Sequence, residues 1–312
     1  MLVGNAGRAL LFVSVIFMCS LLEGMPKTCF AELSAELPER SVGDRWKYSV
    51  DYKRTESSPI GMIGTMTMEV TRDSVVVYQS GSYECYEYTI ESSGTVYGED
   101  ITGTWNMSGK GYDVESDLSA AKTSMDLDAT FTYGGESTKI TQNIETIYDP
   151  PLQTNSGFPL SAGKSWSAIA SKTTTTRTDI DGDFDQETDA TTDSENYIVL
   201  RTETTKVTAG EFETFVIKVT KNDGTSLELY YSPKAEIQVK ELDYDKTGEL
   251  EVTTELLEYS VSADPEAFPS IYIVVAAITA IGIIGSALGY AMFNRRNRTK
   301  SSSSLDVPKP PS

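Results

Sequence analysis

Residues 165–200 read SWSAIASKTTTTRTDIDGDFDQETDATTDSENYIVL, two runs rich in threonine and serine on either side of Asp181-Gly182. Threonine, valine, isoleucine and tyrosine favour extended strands. Asp-Gly is a preferred two-residue hairpin turn because both positions tolerate positive φ. The stretch therefore predicts an antiparallel hairpin with strands over residues 165–180 and 184–200.

The same kind of pattern continues on both sides of this hairpin. Trp46, Tyr48 and Val50 alternate at period two, and residues 124–133 alternate before a Gly-Gly turn. Residues 222–224, Asn-Asp-Gly, offer another turn between strand-like runs. Many short strands separated by glycine turns are typical of antiparallel β structure. The predicted fold class is mainly β, with two tandem antiparallel-sheet modules (half-barrel or sandwich-like) and one C-terminal transmembrane helix.

Shifts in composition divide the chain into six parts. The predicted parts are a signal peptide (1–31), a first extracytoplasmic β module (32–150), a second extracytoplasmic β module (151–262), a linker (263–270), a transmembrane helix (271–293) and a disordered cytoplasmic tail (294–312). A proline-rich connection marks the boundary between the modules. The sequence leaves open whether the modules form one continuous sheet or two domains.

The membrane topology follows from residues 271–293, IYIVVAAITAIGIIGSALGYAMF, which hold no charged residue. A helix of this length can cross a hydrocarbon core of about 30 Å. Arg295, Arg296 and Arg298 follow it directly, and cationic flanks are retained on the cytoplasmic side. We therefore expect a single-pass plasma-membrane protein with its N-terminus outside and its C-terminus in the cytoplasm.

The N-terminal segment agrees with this orientation. Arg8 precedes an apolar run over residues 9–22, which is short for a membrane span and typical of a secretory signal. Small residues near Ala31 predict cleavage after that residue, while a site nearer Gly24 competes with it. An uncleaved signal anchor stays an open alternative.

Charge and composition exclude several classes of function. Asp and Glu number 46 against 26 Lys and Arg, and the formal net charge is −20. Such an acidic ectodomain disfavours nucleic acid, whose phosphates need basic partners. The chain has no histidine, and of its cysteines only Cys85 lies in the expected exterior, beyond Cys19 and Cys29. We therefore expect no disulfide within the exterior, no cofactor and no histidine-based catalytic site, although a carboxylate-dependent hydrolase stays open.

The two halves of the predicted exterior share short motifs in the same order. Residues 41–46, SVGDRW, match 161–166, SAGKSW, and residues 81–86, GSYECY, match 210–215, GEFETF. These matches predict an internal duplication. They also predict that Tyr86, Tyr88 and Ile90 face the core if Phe215, Ile217 and Val219 do. Cys85 would then lie on the opposite face of its strand.

These motifs resemble those of a loose group of uncharacterised archaeal and bacterial envelope proteins with duplicated G-x-x-W β modules. The resemblance rests on the tryptophans at 46 and 166, on AGEFETFVI at 209–217 and on YYSPKAEIQVK at 230–240. The group usually carries glycine where Ala235 and Glu236 stand. The resemblance implies an envelope location and curved sheets like the half-barrels of lipoprotein carriers, and it supplies no catalytic residues.

Three local patterns are candidate sites. Asp179, Asp181, Asp183 and Asp185 form a weak calcium-loop pattern that lacks the glycine and glutamate of an EF-hand, so outward carboxylates at a hairpin tip are the plainer interpretation. Asn106 begins a glycosylation triplet, Asn-Met-Ser. Gly285 and Gly289 place small residues on one face of the expected transmembrane helix, a pattern that permits a homodimer.

The functional prediction is a membrane-anchored surface or envelope protein that acts in interaction or in envelope structure. Its partners would be the membrane and an envelope protein or an apolar ligand. The alternative is a binding module that holds a lipid or another apolar ligand in the concave face of a half-barrel. An open apolar face would favour the alternative, whereas an interior filled by Trp46, Tyr48 or Met68 would favour interaction.

Overall fold

The computed structural model describes residues 35–37, 40–54, 60–77 and 81–261. These residues form twelve strands and no helix. The strands are β1 (Arg45–Tyr52), β2 (Ile60–Val77), β3 (Ser82–Gly98), β4 (Ile101–Val114), β5 (Ala120–Tyr133), β6 (Glu136–Leu152), β7 (Ser165–Ile180), β8 (Asp183–Val207), β9 (Gly210–Lys221), β10 (Ser226–Ser232), β11 (Ile237–Tyr244) and β12 (Leu250–Ser260).

Neighbouring strands pair antiparallel in chain order, and β1 pairs with both β2 and β12. The sheet is therefore one closed twelve-stranded barrel. The prediction of two tandem half-barrel or sandwich-like modules is wrong, because the halves are consecutive arcs of a single ring. Closure gives both outer strands a partner, which removes the edges that two separate sheets would expose.

The closing contact pairs the beginning of the barrel with its end. Trp46 lies opposite Tyr259, and Tyr48 lies opposite Leu256. The β1 side chains Trp46, Tyr48, Val50 and Tyr52 are buried while those between them are more exposed. This alternation confirms the period-two prediction for the first strand, and it places an apolar row where the ring closes.

Several predictions lie outside the described residues. They are the signal peptide with Cys19 and Cys29, the linker, the apolar run 271–293 with Gly285 and Gly289, and the cytoplasmic tail. In the part of the chain that the structure describes, no helix has the length and apolar character needed to cross a bilayer.

Two register shifts occur at matching places in the two halves of the ring. One lies between Val70 and Arg72 in β2, and the other between Val199 and Arg201 in β8. Both follow the same turn geometry, in which Gly43 and Gly163 donate backbone hydrogen bonds of 2.8 Å to the carbonyls of Val70 and Val199. The duplication stays a prediction.

The turn that departs from the glycine pattern of the envelope group is formed without glycine. Glu236 adopts a φ of 60°, in the left-handed region that favours glycine. The preceding carbonyl, that of Ala235, accepts a hydrogen bond from the Trp46 indole nitrogen at 3.2 Å. The β10–β11 turn therefore closes over the start of β1.

Candidate functional site in the barrel interior

The strand register shows which side chains face the interior, because directly paired residues lie on the same face of a sheet. Tyr48 pairs with Leu256, and Thr254, two residues from Leu256, pairs with Glu241. Glu241 also pairs with Leu229. The acidic side chain of Glu241 therefore points into the barrel, on the same face as the aromatic residues of β1.

One half of the interior is filled by large apolar side chains. The largest, at most 1% exposed, come from β1 to β4 and are Trp46, Tyr48, Met66, Met68, Tyr88, Ile90 and Trp105. Protein atoms therefore occupy the space that an apolar ligand would need in this half. Tyr88 and Ile90 are buried as predicted, and Tyr86 is only partly buried. Phe215, Ile217 and Val219 are buried in the second half.

The other half of the interior carries buried carboxyl groups. Glu241 is 1% exposed, and its carboxyl group lies beside that of Asp243. Burial raises the pKa of Glu241 well above its ordinary value, and the neighbouring Asp243 adds to the shift. Burial also raises the pKa of Asp243 to about 6, against the opposing charge of Lys221. Burial therefore favours the protonated form of both carboxyl groups.

Glu195 extends this acidic cluster from β8. Its carboxylate accepts a hydrogen bond from the Tyr197 hydroxyl, and burial raises its pKa to about 7. Beside it, Lys172 pairs with Asp193 at 3.2 Å. Trp166 stacks on the Tyr197 ring at a centroid distance of 4.8 Å. The cluster thus combines carboxyl groups that hold protons with one ion pair.

Arg40 forms a separate cationic cluster at the end of the barrel where β1 begins. Its guanidinium lies 4.4 Å from the Trp46 ring centroid and 5.4 Å from that of Tyr88. Arg40 is 6% exposed, and its three nitrogens form no well-aligned hydrogen bond within the described part of the chain. Its charge acts on the pKa values of Tyr48, Tyr231 and Glu236. A guanidinium stays charged when buried, so this arrangement is costly without an acceptor.

Three tyrosine hydroxyl groups lie near Arg40. Those of Tyr48 and Tyr231 are buried and form no hydrogen bond with other described residues, and that of Tyr88 is buried beside the Arg40 guanidinium. Hydroxyl and guanidinium groups together offer several donors to one multivalent acceptor, such as a carboxylate or phosphate. The end of the barrel therefore has the chemistry of an anion site.

The interior carboxyl groups bear on the alternative of a carboxylate-dependent hydrolase. Glu241 and Asp243 lie close together, as a carboxylate hydrolase requires. Glu241 is buried and Asp243 is partly buried, and hydrolysis needs substrate and water to reach both groups, so the hydrolase stays a hypothesis. In this conformation the pair affects stability and proton binding.

The hairpin tip confirms the predicted turn and separates the predicted calcium ligands. Asp181 and Gly182 adopt φ values of 54° and 95°. Asp179 accepts a hydrogen bond from the Gly182 amide, and Asp181 accepts one from the Lys139 amide, both at 2.8 Å. Asp179 lies opposite Phe184, so it is on the other face from Asp183 and Asp185. Within the described ranges, no group of three or more acidic or cysteine side chains is arranged to hold a metal ion.

Asn106 is exposed on β4, opposite Ser93 and Asp128. Its position leaves the triplet accessible from outside the barrel, and glycosylation stays a prediction.

Cys85 is buried against Val114 and Ala121, on the opposite face of β3 from Tyr88. Burial, with a smaller effect from the charge of Asp113, raises its pKa to about 12.

Only the thiolate reacts with disulfide reagents, so we expect Cys85 in the native full chain to stay unlabelled at about pH 8. Peptide mapping after labelling, with and without urea, measures this. Labelling of native Cys85 at the rate seen in urea would contradict the buried position.

Sequence reasoning missed Glu195, Glu241, Asp243 and Arg40. The position of Glu195 could have been inferred, because Glu195, Tyr197 and Val199 occupy alternate positions and so lie on the same face of a strand. The same reasoning fails for Glu241, because a register shift after Tyr230 changes which side chains face inward. Arg40 precedes the first strand, and no periodicity applies to it.

Comparisons with known proteins give no family. No family model and no curated protein matches the sequence, so the resemblance to envelope proteins stays a hypothesis. A candidate exported protein from Bacteroides fragilis, described as having a YmcC-like fold, is 11% identical with a TM-score of 0.32, over 72% of this chain and 99% of the other. A candidate lipoprotein from Parabacteroides distasonis is 12% identical with a TM-score of 0.26, over 73% and 100%. At these scores we derive neither fold nor function from the similarity.

Proposed function

We propose that this protein is a surface or envelope protein that is held at a membrane by residues 271–293 and acts by interaction through the outside of its barrel. The filled interior carries this proposal. Trp46, Tyr48 and Met68 occupy the space where a ligand-binding barrel would be open.

The sequence supports the membrane attachment and its direction. The apolar run is long enough to span a bilayer, and the arginines after residue 293 favour a cytoplasmic C-terminus. With that orientation the acidic barrel faces outward, where negative charge favours solubility and attraction of basic partners.

Native mass spectrometry of the full chain in a mild detergent tests the proposal that the protein acts by binding a partner. Co-purification of a protein partner would support it, whereas a stoichiometric lipid in the barrel would contradict it. Protease digestion of intact cells tests the orientation independently. Protection of the barrel in intact cells, with cleavage after permeabilisation, would overturn the outward orientation.

A second function, binding of an amphiphile with an anionic head group, is favoured by the Arg40 cluster. The buried guanidinium and the three tyrosine hydroxyls would hold a carboxylate at the end of the barrel. The neighbouring Trp46 and Tyr88 rings would contact the first carbons of an apolar chain. The ligand would enter at this end and leave the rest of the core in place.

Dodecanoate binding to the full chain tests this second function. We expect tryptophan fluorescence to change on binding, because Trp46 lies against Arg40, and we expect Arg40→Met to weaken the affinity at least tenfold. Arg45→Met is the matched control, because Arg45 is exposed and pairs with Glu69 only at 4.0 Å. Equal affinity in both variants, or no saturable signal at millimolar dodecanoate, would rule the site out.

A further inference from the structure

Strand β8 is much longer than its neighbour on one side. It spans Asp183–Val207 and pairs with β7 from its first residue. Its pairing with β9 begins only at Glu195, which lies opposite Lys221. Residues 183–192 are all exposed, so none of the described residues covers them. This length of β8, which we call the β8 edge (residues 183–192), has no partner strand among the described residues on its β9 side.

The backbone groups that the β8 edge offers can be identified. The carbonyls of Thr192 and Ser194 accept hydrogen bonds from Asn222, at 2.8 Å and 3.0 Å, so they point away from β7. In an antiparallel strand, alternate residues direct both their N–H and C=O groups to the same side. The even-numbered residues before Thr192 therefore present amides and carbonyls to the open side. They are Phe184, Gln186, Thr188 and Ala190.

The side chains of the β8 edge are acidic on one face only. Asp183, Asp185, Glu187 and Asp189 alternate along the strand, about 7 Å apart from one to the next. Their cross-strand partners in β7 include Thr174, Thr176 and Thr178, none of which is basic. No ion pair within the described part of the chain involves Asp185, Glu187 or Asp189.

We propose that the β8 edge is a docking surface for an extended basic segment of another protein, which adds to the barrel as a further strand. This rests on the proposed interaction function and names the chemistry of the partner. Backbone hydrogen bonds to the even-numbered residues would provide affinity, and lysine or arginine at alternate positions of the partner would lie beside the carboxylates. Charge complementarity therefore selects the occupant.

The same charges disfavour a second copy of this chain. Two β8 edges paired antiparallel would place carboxylates directly opposite carboxylates, which destabilises a sheet. Charged edges also prevent unspecific strand pairing in natural sheets. The acidic row thus excludes neutral and acidic strands while admitting a basic one.

A labelled ten-residue peptide that alternates lysine with threonine or valine is the probe. We expect saturable binding to the full chain by fluorescence anisotropy. A peptide of the same sequence with N-methylated alternate amides loses one hydrogen-bonding edge, and we expect it to bind at least tenfold more weakly. A glutamate-for-lysine peptide should not bind.

Variants of the protein locate the binding to the β8 edge. Ala190→Pro removes one N–H on the open side and keeps the β7 pairing, so we expect the peptide affinity to fall at least tenfold while Ala190→Ser retains it. The triple variant Asp185→Asn, Glu187→Gln and Asp189→Asn should also weaken binding and reduce its salt dependence. Thermal denaturation shows whether each variant is folded. If a variant does not fold, the comparison of the plain and the N-methylated peptide on the wild-type protein still tests the proposal.

Three results would overturn the inference. They are equal binding of the methylated peptide, unchanged affinity in Ala190→Pro, and a homodimer that Ala190→Pro dissociates. The experiments distinguish a failure of this inference from a failure of the proposed interaction function. A protein partner in native mass spectrometry without peptide binding at the β8 edge would refute the docking surface and leave the interaction function standing.

Discussion

Raising the pH from about 5 to about 8 is expected to lower the free energy of unfolding by about 3 kcal/mol through Glu195 alone. Glu195→Gln is expected to remove that part of the loss. The effect arises because Glu195 is 2% exposed and burial raises its pKa to about 7 in the folded state. In the unfolded chain the same carboxyl group has its ordinary pKa, near 4.5.

The direction follows from proton binding. Below about pH 4.5 both states hold the proton, and the contribution of Glu195 to stability is fully present. Between that pH and about 7 the unfolded chain releases the proton while the folded chain keeps it, so the folded state loses its advantage. Above about pH 7 both states are ionised and the loss is complete.

The groups around Glu195 act in both directions. Lys221 and the Tyr197 hydroxyl favour its ionised form, and Asp193 opposes it, while Lys172 is held by its own pair with Asp193. Burial raises the pKa of Tyr148, which faces the same carboxylates and stays neutral over this range. Because the pKa values of Glu241 and Asp243 are also raised, these two groups likewise lower the free energy of unfolding as the pH rises.

One buried carboxylate works in the opposite direction. Burial alone would raise the pKa of Glu87, but its hydrogen bonds to Arg72 and Lys110, at 2.9 Å and 2.8 Å, hold that pKa below its ordinary value. Its contribution is present at neutral pH and is lost as the pH falls below about 4.5. Maximal stability is therefore expected near pH 5.

Urea denaturation of the full chain at about pH 5, 6.5 and 8 measures the effect. Glu211→Gln is the control, because Glu211 is exposed on β9 and should leave the pH dependence unchanged. We expect Glu195→Gln to be more stable than the wild type at about pH 8 and close to it at about pH 5. Stability that is constant or rises over this range would show that Glu195 is ionised in the fold.

Local sequence patterns were sufficient for the strands and for the tightest turns. Asp181-Gly182 predicted a hairpin because few dipeptides adopt positive φ twice, and the structure has that geometry. The alternation of Trp46, Tyr48 and Val50 predicted a buried face, because a strand turns every second side chain inward.

Closure and the interior carboxylates could not be predicted in the same way. The pairing of Trp46 with Tyr259 joins the first strand to the last, and no local pattern records which distant strand completes a sheet. A strand pattern also shows alternation without showing which polar residues point inward. A bulge reverses the alternation in its strand, as in β11, where Tyr230 pairs with Lys240 but Tyr231 pairs with Gln238, so the inward position of Glu241 does not follow from a simple period of two.

Trp46→Ala is expected to lower the free energy of unfolding by about 4 kcal/mol, because it removes a fully buried indole from the filled half of the interior. The cavity accounts for most of the loss. The hydrogen bond from the indole nitrogen to the Ala235 carbonyl and the stacking of Arg40 on the ring are lost as well. The variant therefore also leaves the buried guanidinium of Arg40 without its main contact.

Trp166→Ala is the matched control, because Trp166 occupies the equivalent motif in the second half of the ring. Its side chain is only half-buried, where it stacks on Tyr197 and donates a hydrogen bond of 2.7 Å to the Thr154 carbonyl. We expect a loss of about 2 kcal/mol, since part of this ring is already in contact with water. Urea denaturation compares the two variants. Equal losses would mean that the interior around Trp46 is not closely packed, and the proposal that the barrel acts through its outside would lose its main support.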